Sequence, residues 1–364
     1  DITNKSGLIT LFDNREITTT SSKEEKWNIT ITFVNYDASQ NANAGKSMSA
    51  KIMIQKEVIP QVISDVCANG ENLATCITTL ASKSASSLTN IYHHDSSLIN
   101  GAGDSSYRYS GANPNNYVCF GSNESPCPTD NLYRIIGVFG NNVKLIKHDY
   151  ATSALLGTDG DYYGTGTPNA SYYKGSLTTI NTYYWNNSTQ KNTWSESELN
   201  KTNLNKNYIA YLNKIDEKWA KKIAVTTWKV GGNTSANIYN VVPATAYQNE
   251  ITNPSTTAST GETEYSAQIG LMYASDYGFA ADPSAWTTTL YNYYRSVNGS
   301  TIRSLNWMHM GYTEWTLSRY ADNSNNAFFV YNYGSVNNNR VYYGYIGVRP
   351  SFNLESAITY VSGS

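Results

Sequence analysis

The stretch that decides the fold is residues 304–354, SLNWMHMGYTEWTLSRYADNSNNAFFVYNYGSVNNNRVYYGYIGVRPSFNL, in which two kinds of position are interleaved. One kind has the residue types of a buried frame. These frame positions are Trp307, Met310, Gly311, Glu314, Trp315, Thr316, Ser318, Arg319, Ala327, Phe328, Val330, Gly334, Val336, Val341, Val348, Arg349, Pro350, Phe352 and Leu354. The other kind is nearly all Tyr, Asn, Ser or Asp. Of the 26 residues from 320 to 345, six are Tyr and seven are Asn, a bias that strand packing alone does not require.

The alternation predicts that inward and outward positions along these strands have different roles. Val330, Val336 and Val341 can anchor the strands inward while the tyrosines and asparagines between them point outward. Rings supply contact area at low entropic cost, and amides supply adaptable hydrogen bonds. Exposed rings lower solubility unless they serve recognition, so we interpret this face as a binding surface. A solvated, asparagine-rich surface without a ligand is the alternative.

Composition restricts the class of partner. Charged residues are only 15% of the chain and Tyr reaches 31 residues, while the net charge is −2. This balance gives no electrostatic basis for binding nucleic acid, and no apolar run approaches the length of a membrane span. We therefore expect a protein or cell-surface ligand, no nucleic acid and no membrane insertion. Because the chain begins at Asp1 without a signal peptide, we expect that a leader or anchor was removed.

Four cysteines form two close pairs, Cys67 with Cys76 and Cys119 with Cys127. Each pair brackets a polar loop, which predicts two local disulfides and an oxidising, extracellular or cell-surface location. Zinc is the competing interpretation, but its ligand pairs are usually two to four residues apart.

The periodicity predicts an α+β protein in three parts. Residues 1–57 read as a small β hairpin unit, because Trp27, Ile29, Ile31 and Phe33 alternate with polar residues. Residues 58–100 change to a helical period and are interpreted as a helical connector. Residues 101–364 combine short aromatic strands with long loops, and are predicted to form one ligand-binding domain with two helices.

Local signals place three elements in that domain. Residues 133–139 and 143–147 predict a hairpin that turns at 140–142. Ser195 and Glu198 have the spacing of a capping box, which predicts a helix starting there. Its buried face would comprise Leu204, Tyr208, Leu212, Ile215 and Trp219. A second helix is predicted from Ser284, with Trp286, Leu290 and Tyr294 in register.

The frame WMxMGxxEWTxSR (307–319) followed by VRPxFxL (348–354) resembles the C-terminal end of variable proteins diversified by retroelements. It is also similar to the formylglycine-generating-enzyme subgroup of the C-type-lectin fold. The matching residues are Gly311, Glu314, Trp315, Thr316, Arg349 and Phe352. Upstream, YRYSGANPNNYVC (107–119) and LYRIIG (132–137) look like bacterial surface proteins with this ending, so the resemblance covers about 101–357.

The resemblance implies a C-type-lectin-like domain whose ligand-facing residues vary while the scaffold stays constant. In that family an error-prone reverse transcriptase rewrites adenines at the 3′ end of the gene, which yields many Tyr, Asn, Ser and Asp codons. The implied variable contacts are Tyr312, Tyr320, Asn323, Asn325, Asn326, Tyr331, Asn332, Tyr333, Asn337, Asn338, Asn339, Arg340, Tyr342, Tyr343 and Tyr345. The chain would then be an adhesin or receptor displayed by a bacterium or its phage.

Glu314, Arg319 and Arg349 have two interpretations. A catalytic interpretation makes them acid–base groups. A structural interpretation makes Glu314 a buried acceptor for an arginine or for backbone N–H groups, because buried charges persist only when paired. We favour the structural role for these three and for Trp315.

Enzyme chemistry finds little support in the residues. Formylglycine-generating enzymes need cysteines near the C-terminal cleft, but no cysteine follows Cys127. His93, His94 and Asp95 are adjacent and would point apart in an extended segment, so we interpret them as a solvated loop. No catalytic residue, metal, calcium site or cofactor is therefore expected. The alternatives are a pilus or surface-assembly subunit, and an enzyme derived from the formylglycine-generating fold.

Overall fold

The computed structural model describes residues 62–234, 240–254 and 262–362, together with Gly45. The chain divides into two compact units, 1–56 and 57–364. Apart from Gly45, the β hairpin unit predicted over 1–57 lies outside the described residues, as do residues 58–61 of the predicted helical connector.

The second unit is an α+β structure of short elements. Its strands are β1 (Ile91–His93), β2 (Tyr107–Tyr109), β3 (Tyr117–Cys119), β4 (Leu132–Phe139), β5 (Asn142–Lys147), β6 (Tyr162–Gly166), β7 (Ile180–Tyr183), β8 (Thr226–Lys229), β9 (Gly232–Asn233), β10 (Glu264–Ala267), β11 (Ile269–Gly270), β12 (Ser296–Val297), β13 (Ser300–Thr301), β14 (Glu314–Tyr320), β15 (Asn326–Val330), β16 (Val336–Arg340) and β17 (Ser351–Asn353). Its α-helical segments are Leu73–Lys83, Ser86–Thr89, Ser153–Leu156, Ile209–Ile215, Glu217–Ala220, Pro243–Tyr247 and Ala274–Phe279, with π-helical turns over Leu199–Tyr208 and Gln248–Thr252.

Two sheets organise the described strands. The larger has the order β1-β2-β4-β5-β17-β11, and β3 also pairs with β4. The second has the order β16-β15-β14-β9, in which β9 runs parallel to β14 and the other pairs are antiparallel. Three two-stranded ribbons, β6–β7, β8–β10 and β12–β13, complete the pairing. The mixed helix and strand content predicted from the sequence is present, and the strands are distributed over several sheets.

The predicted hairpin over 133–147 is confirmed as β4 and β5. Gly140 takes a positive φ of 59° at the turn, a conformation that costs glycine little. Both strands are buried along most of their length. They form the centre of the larger sheet, and their buried residues include Arg134, Lys144 and Lys147 beside the apolar ones.

The helix predicted from Ser195 begins later than its capping signal indicates. Ser195 lies in a separate 3-10 turn, and helical structure begins at Leu199. The start is capped from a distance, because Oδ2 of buried Asp161 accepts the Leu199 N–H at 2.7 Å. Leu204, Tyr208 and Leu212 are buried as predicted, whereas Ile215 is 42% exposed, since the helix ends there.

The second predicted helix, from Ser284, is wrong. The segment forms only two 3-10 turns, Pro283–Ala285 and Leu290–Asn292. Three consecutive threonines at 287–289 separate the turns, and β-branched residues lose rotamer freedom in a helix. Trp286 is nevertheless buried, and its indole N–H donates to the Ala281 carbonyl at 3.1 Å.

The segment interpreted as a helical connector contains Leu73–Lys83 and Ser86–Thr89, and it also supplies β1 at the edge of the larger sheet. Both predicted disulfides, Cys67–Cys76 and Cys119–Cys127, are present. The first closes a loop against which the C-terminal segment pairs: Gly70 N–H donates to Tyr360 at 2.9 Å, and Tyr360 N–H donates to Glu71 at 2.7 Å.

Candidate ligand-binding surface

Residues 304–354, called the recognition segment after their predicted role, are held by a buried frame. All nineteen frame positions of residues 304–354 are buried, so this part of the chain is fixed by packing. Trp315 on β14 is fully buried and donates its indole N–H to the Tyr183 carbonyl at 2.9 Å. Gly311 takes a φ of 88°, and a Cβ there would lie 1.9 Å from the Tyr172 carbonyl oxygen, so no larger residue fits.

A buried ion pair ties the frame together. Arg349 Nε donates to Glu314 Oε1 at 2.7 Å, with both side chains almost wholly inaccessible. Arg349 Nη2 also donates to the Met308 carbonyl at 2.6 Å. Arg319 is 1% exposed and donates to the Glu262 backbone carbonyl. These contacts join β14 to the segment before β17 and to residue 262, which is the arrangement that the structural interpretation of the three charges requires.

The fifteen predicted contact residues have the opposite environment. None of them is buried, and Arg340, Tyr343 and Tyr345 are exposed. Tyr343 and Tyr345 have 42% and 51% of their surface accessible. Val330, Val336 and Val341, which lie between the predicted contacts along the chain, are 0–2% exposed. The Tyr and Asn positions therefore remain accessible to a partner, whereas the adjoining apolar residues do not.

One group of rings lies at the turn between β15 and β16. Tyr331 stacks on Tyr333 with centroids 4.9 Å apart and planes 13° apart. Tyr294 meets Tyr333 edge to face at 6.1 Å, and Tyr291 meets Tyr294 at 6.4 Å. We call these four residues the turn cluster. Burial and the neighbouring Tyr331 raise the pKa of Tyr333. Tyr291 is absent from the predicted set, and Tyr294 was assigned to a helix face, because both lie outside the Tyr/Asn-rich segment.

A second group of rings follows β16. Tyr345 contacts Tyr163 at 4.6 Å and Tyr343 at 5.6 Å, and Tyr163 contacts Tyr184 at 5.2 Å. We call these four residues the tail cluster. A hydrogen bond to Tyr345 raises the pKa of Tyr163 to about 12. Tyr163 comes from β6 and Tyr184 directly follows β7, so the β6–β7 hairpin contributes two rings that no local sequence signal marks.

The remaining predicted aromatic and basic contacts are partly engaged in the fold. Tyr312 lies 5.8 Å from Tyr150, and Tyr320 lies 6.1 Å from Phe328, in both cases between ring centroids. The Arg340 guanidinium lies 5.6 Å from the Tyr342 ring centroid. Tyr312, Tyr320 and Tyr342 are half-buried and Arg340 is exposed, so each keeps accessible surface while it contacts a neighbouring side chain.

Several of the predicted asparagines also bond within the chain. Asn326 Nδ2 donates to Asn338 Oδ1 at 2.8 Å, and Asn323 Oδ1 accepts the Asn325 N–H at 2.7 Å. The Asn332 carbonyl lies 2.9 Å from His309 Nε2. On β16, Asn337 Oδ1 accepts the Asn338 N–H and Asn339 Oδ1 accepts the Arg340 N–H, both at 2.8 Å. The amides are therefore half-satisfied locally and keep part of their hydrogen-bonding capacity.

Asn192, which was not predicted, supports this surface from behind. It is buried, and its Nδ2 lies within 2.6–3.0 Å of the carbonyl oxygens of Tyr320, Asn323 and Asn326. The β14–β15 turn is thus organised by one amide from another part of the chain. A lone asparagine in a loop carries no sequence signal for that role.

The interpretation of His93-His94-Asp95 as a solvated loop is wrong for His94. His94 is fully buried, its Nδ1 accepts the Ala102 N–H at 3.0 Å, and its ring lies 4.8 Å from Phe279. Burial lowers the pKa of His94 to about 2. In the described part of the chain, the one His/Cys/Asp/Glu group with metal-like spacing is Cys67, Glu71 and Cys76. Its two sulfurs are joined in a disulfide and are not thiolate ligands.

Two shallow depressions on the described surface lie away from the fifteen predicted contacts. One, of about 440 Å³, is lined by Ile209, Asn213 and Glu217 among others. The other, of about 280 Å³, lies between the helix at 73–83 and the β4–β5 turn. None of the fifteen predicted contacts lines either depression. Among the described helices, none has the length and apolar character that a membrane span requires.

These features define the class: a disulfide-containing α+β domain that presents two tyrosine clusters around the hairpin β15–β16. The chain belongs to the DUF6273 family, described as a domain of unknown function, whose model matches residues 141–356. The matched region runs from the β4–β5 turn to just beyond β17, so it includes the whole recognition segment and its frame. No curated protein and no solved structure matches the chain.

Proposed function

We propose that this chain is a ligand-binding protein, an adhesin or receptor, whose C-terminal part is a C-type-lectin-like domain with a recognition surface diversified by a retroelement. The observation that carries the proposal is the separation of the two residue sets. Nineteen frame positions are buried and fifteen Tyr, Asn and Arg positions interleaved with them are accessible. A scaffold that tolerates replacement of its contact residues needs this separation, because buried positions respond strongly to changes in volume.

The shape of the surface favours a macromolecular ligand. Small-molecule sites are concave and enclose most of the ligand, whereas the two clusters lie at opposite ends of β16. Tyrosine is suited to such a surface, because a rigid ring with a polar tip gives contact area and a hydrogen bond at once. We therefore propose a protein or another cell-surface molecule as the ligand.

The proposed location is outside the cell or at its surface. Two disulfides hold short loops of the domain, and disulfides persist in oxidising compartments. The scarcity of charged residues, 15% of the chain, is also compatible with recognition through hydroxyls, amides and rings.

Natural variation gives the test. Residues 304–354 would be sequenced from several isolates carrying this gene, together with the flanking DNA. We expect substitutions to concentrate at the fifteen accessible positions and to spare the frame. We also expect a reverse-transcriptase gene and a near-copy of the segment encoding 304–345 nearby. Substitutions spread evenly over both sets, with no such gene, would contradict the proposal.

A further inference from the structure

Strand β16 forms one edge of the four-stranded sheet. Its ladder to β15 is bounded by two backbone hydrogen bonds, Tyr331 N–H to Ser335 at 2.8 Å and Val341 N–H to Asn325 at 2.9 Å. In an antiparallel pair the hydrogen-bonded positions alternate. Positions 335, 337, 339 and 341 therefore bond to β15, and the backbone groups of 336, 338 and 340 are turned to the other side.

Two of these outward N–H groups, those of Asn338 and Arg340, donate to side-chain oxygens. Asn337 Oδ1 accepts from Asn338, and Asn339 Oδ1 accepts from Arg340, each at 2.8 Å. An edge with unsatisfied donors pairs indiscriminately with other strands. These two amides satisfy the donors locally, on side chains that are half-accessible and that can rotate away.

Replacing such a local hydrogen bond by one to an incoming carbonyl changes the free energy little, because one bond is exchanged for another. The edge alone thus gives selectivity for an extended backbone but little affinity. Affinity has to come from side-chain contacts, and rings stand at both ends of the strand. Tyr333 of the turn cluster precedes β16 by three residues, and Tyr343 of the tail cluster follows it by three.

We propose that β16 binds an extended peptide segment of the partner by strand addition, with the turn and tail clusters gripping the two ends of that segment. This inference rests on the proposed ligand-binding function and specifies its ligand as a polypeptide in β conformation. In strand addition an extended peptide pairs with an exposed sheet edge; here the main-chain bonds select the extended conformation, and the rings of the two clusters supply the affinity. Five residues of β16 span about 17 Å, so the bound segment would be roughly five to seven residues long.

The test starts from linear peptides selected on the chain from a phage-displayed random library, with affinities then measured by fluorescence anisotropy. Asn338→Pro removes an outward N–H that the β15 ladder does not use, and proline is tolerated at such edge positions. Asn338→Ala is the matched control, because it loses the same side chain and keeps the N–H. We expect Asn338→Pro to bind about tenfold more weakly than Asn338→Ala, with similar circular-dichroism melting curves.

A second measurement leaves the protein unchanged. Each amide of the selected peptide is N-methylated in turn. Because alternate residues of a strand face the same neighbour, binding should fall at every second position and persist at the positions between. This two-residue period distinguishes strand addition even if Asn338→Pro folds poorly.

The remaining outcomes separate the two proposals. If Tyr333→Ala and Tyr345→Ala abolish binding while N-methylation has no two-residue period, strand addition is overturned and the recognition surface stands. If neither the tyrosine variants nor methylation affects binding, both proposals fail. Failure to select any peptide overturns strand addition. So does a dimer of the chain, seen by sedimentation, that Asn338→Pro dissociates, because the edge would then serve a second copy.

Discussion

Individual tyrosines in the recognition segment differ in how far they are committed to the fold. Tyr331 packs edge to face on Phe329 at 4.7 Å and contacts the main core. Tyr343 and Tyr345 extend past the end of β16 and remain exposed. A ring of the first kind contributes to stability, whereas rings of the second kind contribute little to it and are accessible for the proposed ligand.

This difference predicts the cost of truncating each residue. Tyr343→Ala and Tyr345→Ala should each change the free energy of unfolding by less than about 1 kcal/mol, as surface substitutions usually do. Trp315→Ala should cost ~3–5 kcal/mol, because it empties a fully buried site. Urea titration of the three variants measures both. A loss for the tyrosine variants as large as that for Trp315→Ala would mean that these rings are core.

The buried carboxyl group of Glu250 should make the stability of the fold depend on pH. It is fully buried, Oε1 accepts from Ser318 Oγ at 2.7 Å, and Oε2 accepts from Ser275 N–H at 3.1 Å. Burial raises its pKa from 4.5 to about 7, despite these hydrogen bonds, and the charge of Asp276 acts in the same direction. The folded protein thus keeps this proton up to a higher pH than the unfolded chain.

The sign of the stability effect follows from linkage. Below pH 4.5 both states hold the proton and the contribution of Glu250 is fully present. It declines as pH rises and is lost above about pH 7. Glu250→Gln cannot ionise, so its urea midpoint should vary less between pH 4.5 and 8 and should exceed the wild-type midpoint at pH 8. Identical pH profiles for the two proteins would refute this assignment.

At the scale of elements, the helix over Leu199–Ile215 shows how a distant group replaces a local cap. Asp161 accepts the Leu199 N–H at 2.7 Å and the Asn187 N–H at 2.9 Å. Asp161→Ala would leave the buried Leu199 N–H and the part-buried Asn187 N–H without this partner, and an unsatisfied buried donor costs about 1–3 kcal/mol. Ser195→Ala, at the residue that the capping-box pattern marks, should cost less than about 0.5 kcal/mol. A larger loss of melting temperature for Ser195→Ala than for Asp161→Ala would show that Ser195 caps this helix.

The first disulfide should stabilise the C-terminal segment that pairs with its loop. Cys67–Cys76 closes the loop on which Ile358 and Tyr360 pair, with the Leu73 N–H donating to Ile358 at 2.9 Å. Replacing both cysteines by serine should cost about 2–3 kcal/mol through the entropy of the unfolded chain. Hydrogen exchange should accelerate over residues 67–76 and 356–362 while β14–β16 stay protected. The matched control is the double serine variant of Cys119 and Cys127, in which residues 356–362 should remain protected. Uniform acceleration of exchange over the whole unit in the first variant would show that this disulfide does not stabilise residues 67–76 and 356–362 selectively.

At the scale of the whole molecule, residue type predicted the nineteen buried frame positions and the fifteen accessible ones, but not the buried polar residues Asn306, His309 and Ser335 of the same stretch. The β4–β5 hairpin and the two disulfides were predictable because each depends on neighbours in the sequence. The tail cluster was not, because Tyr163 and Tyr345 meet only through the fold. Asp161 and Asn192 were also missed, since a buried polar residue that serves distant backbone groups has no local pattern.

The second predicted helix failed for a related reason. The apolar spacing at Trp286 and Leu290 reflects burial in separate pockets, and tertiary packing overrides the periodic signal. Long irregular connections held by single side chains are thus the part of this fold that periodicity cannot describe.

If the buried frame supports a surface whose residues can be replaced independently, as proposed, replacing that whole surface should leave the fold intact. In one display library all fifteen accessible positions are randomised together among Tyr, Asn, Ser and Asp. A parallel library randomises fifteen of the frame positions among Val, Leu, Ile and Ala. We expect most members of the first library to resist protease as well as the parent does, and most members of the second to be digested. Equal loss of protease resistance in both libraries would contradict this expectation.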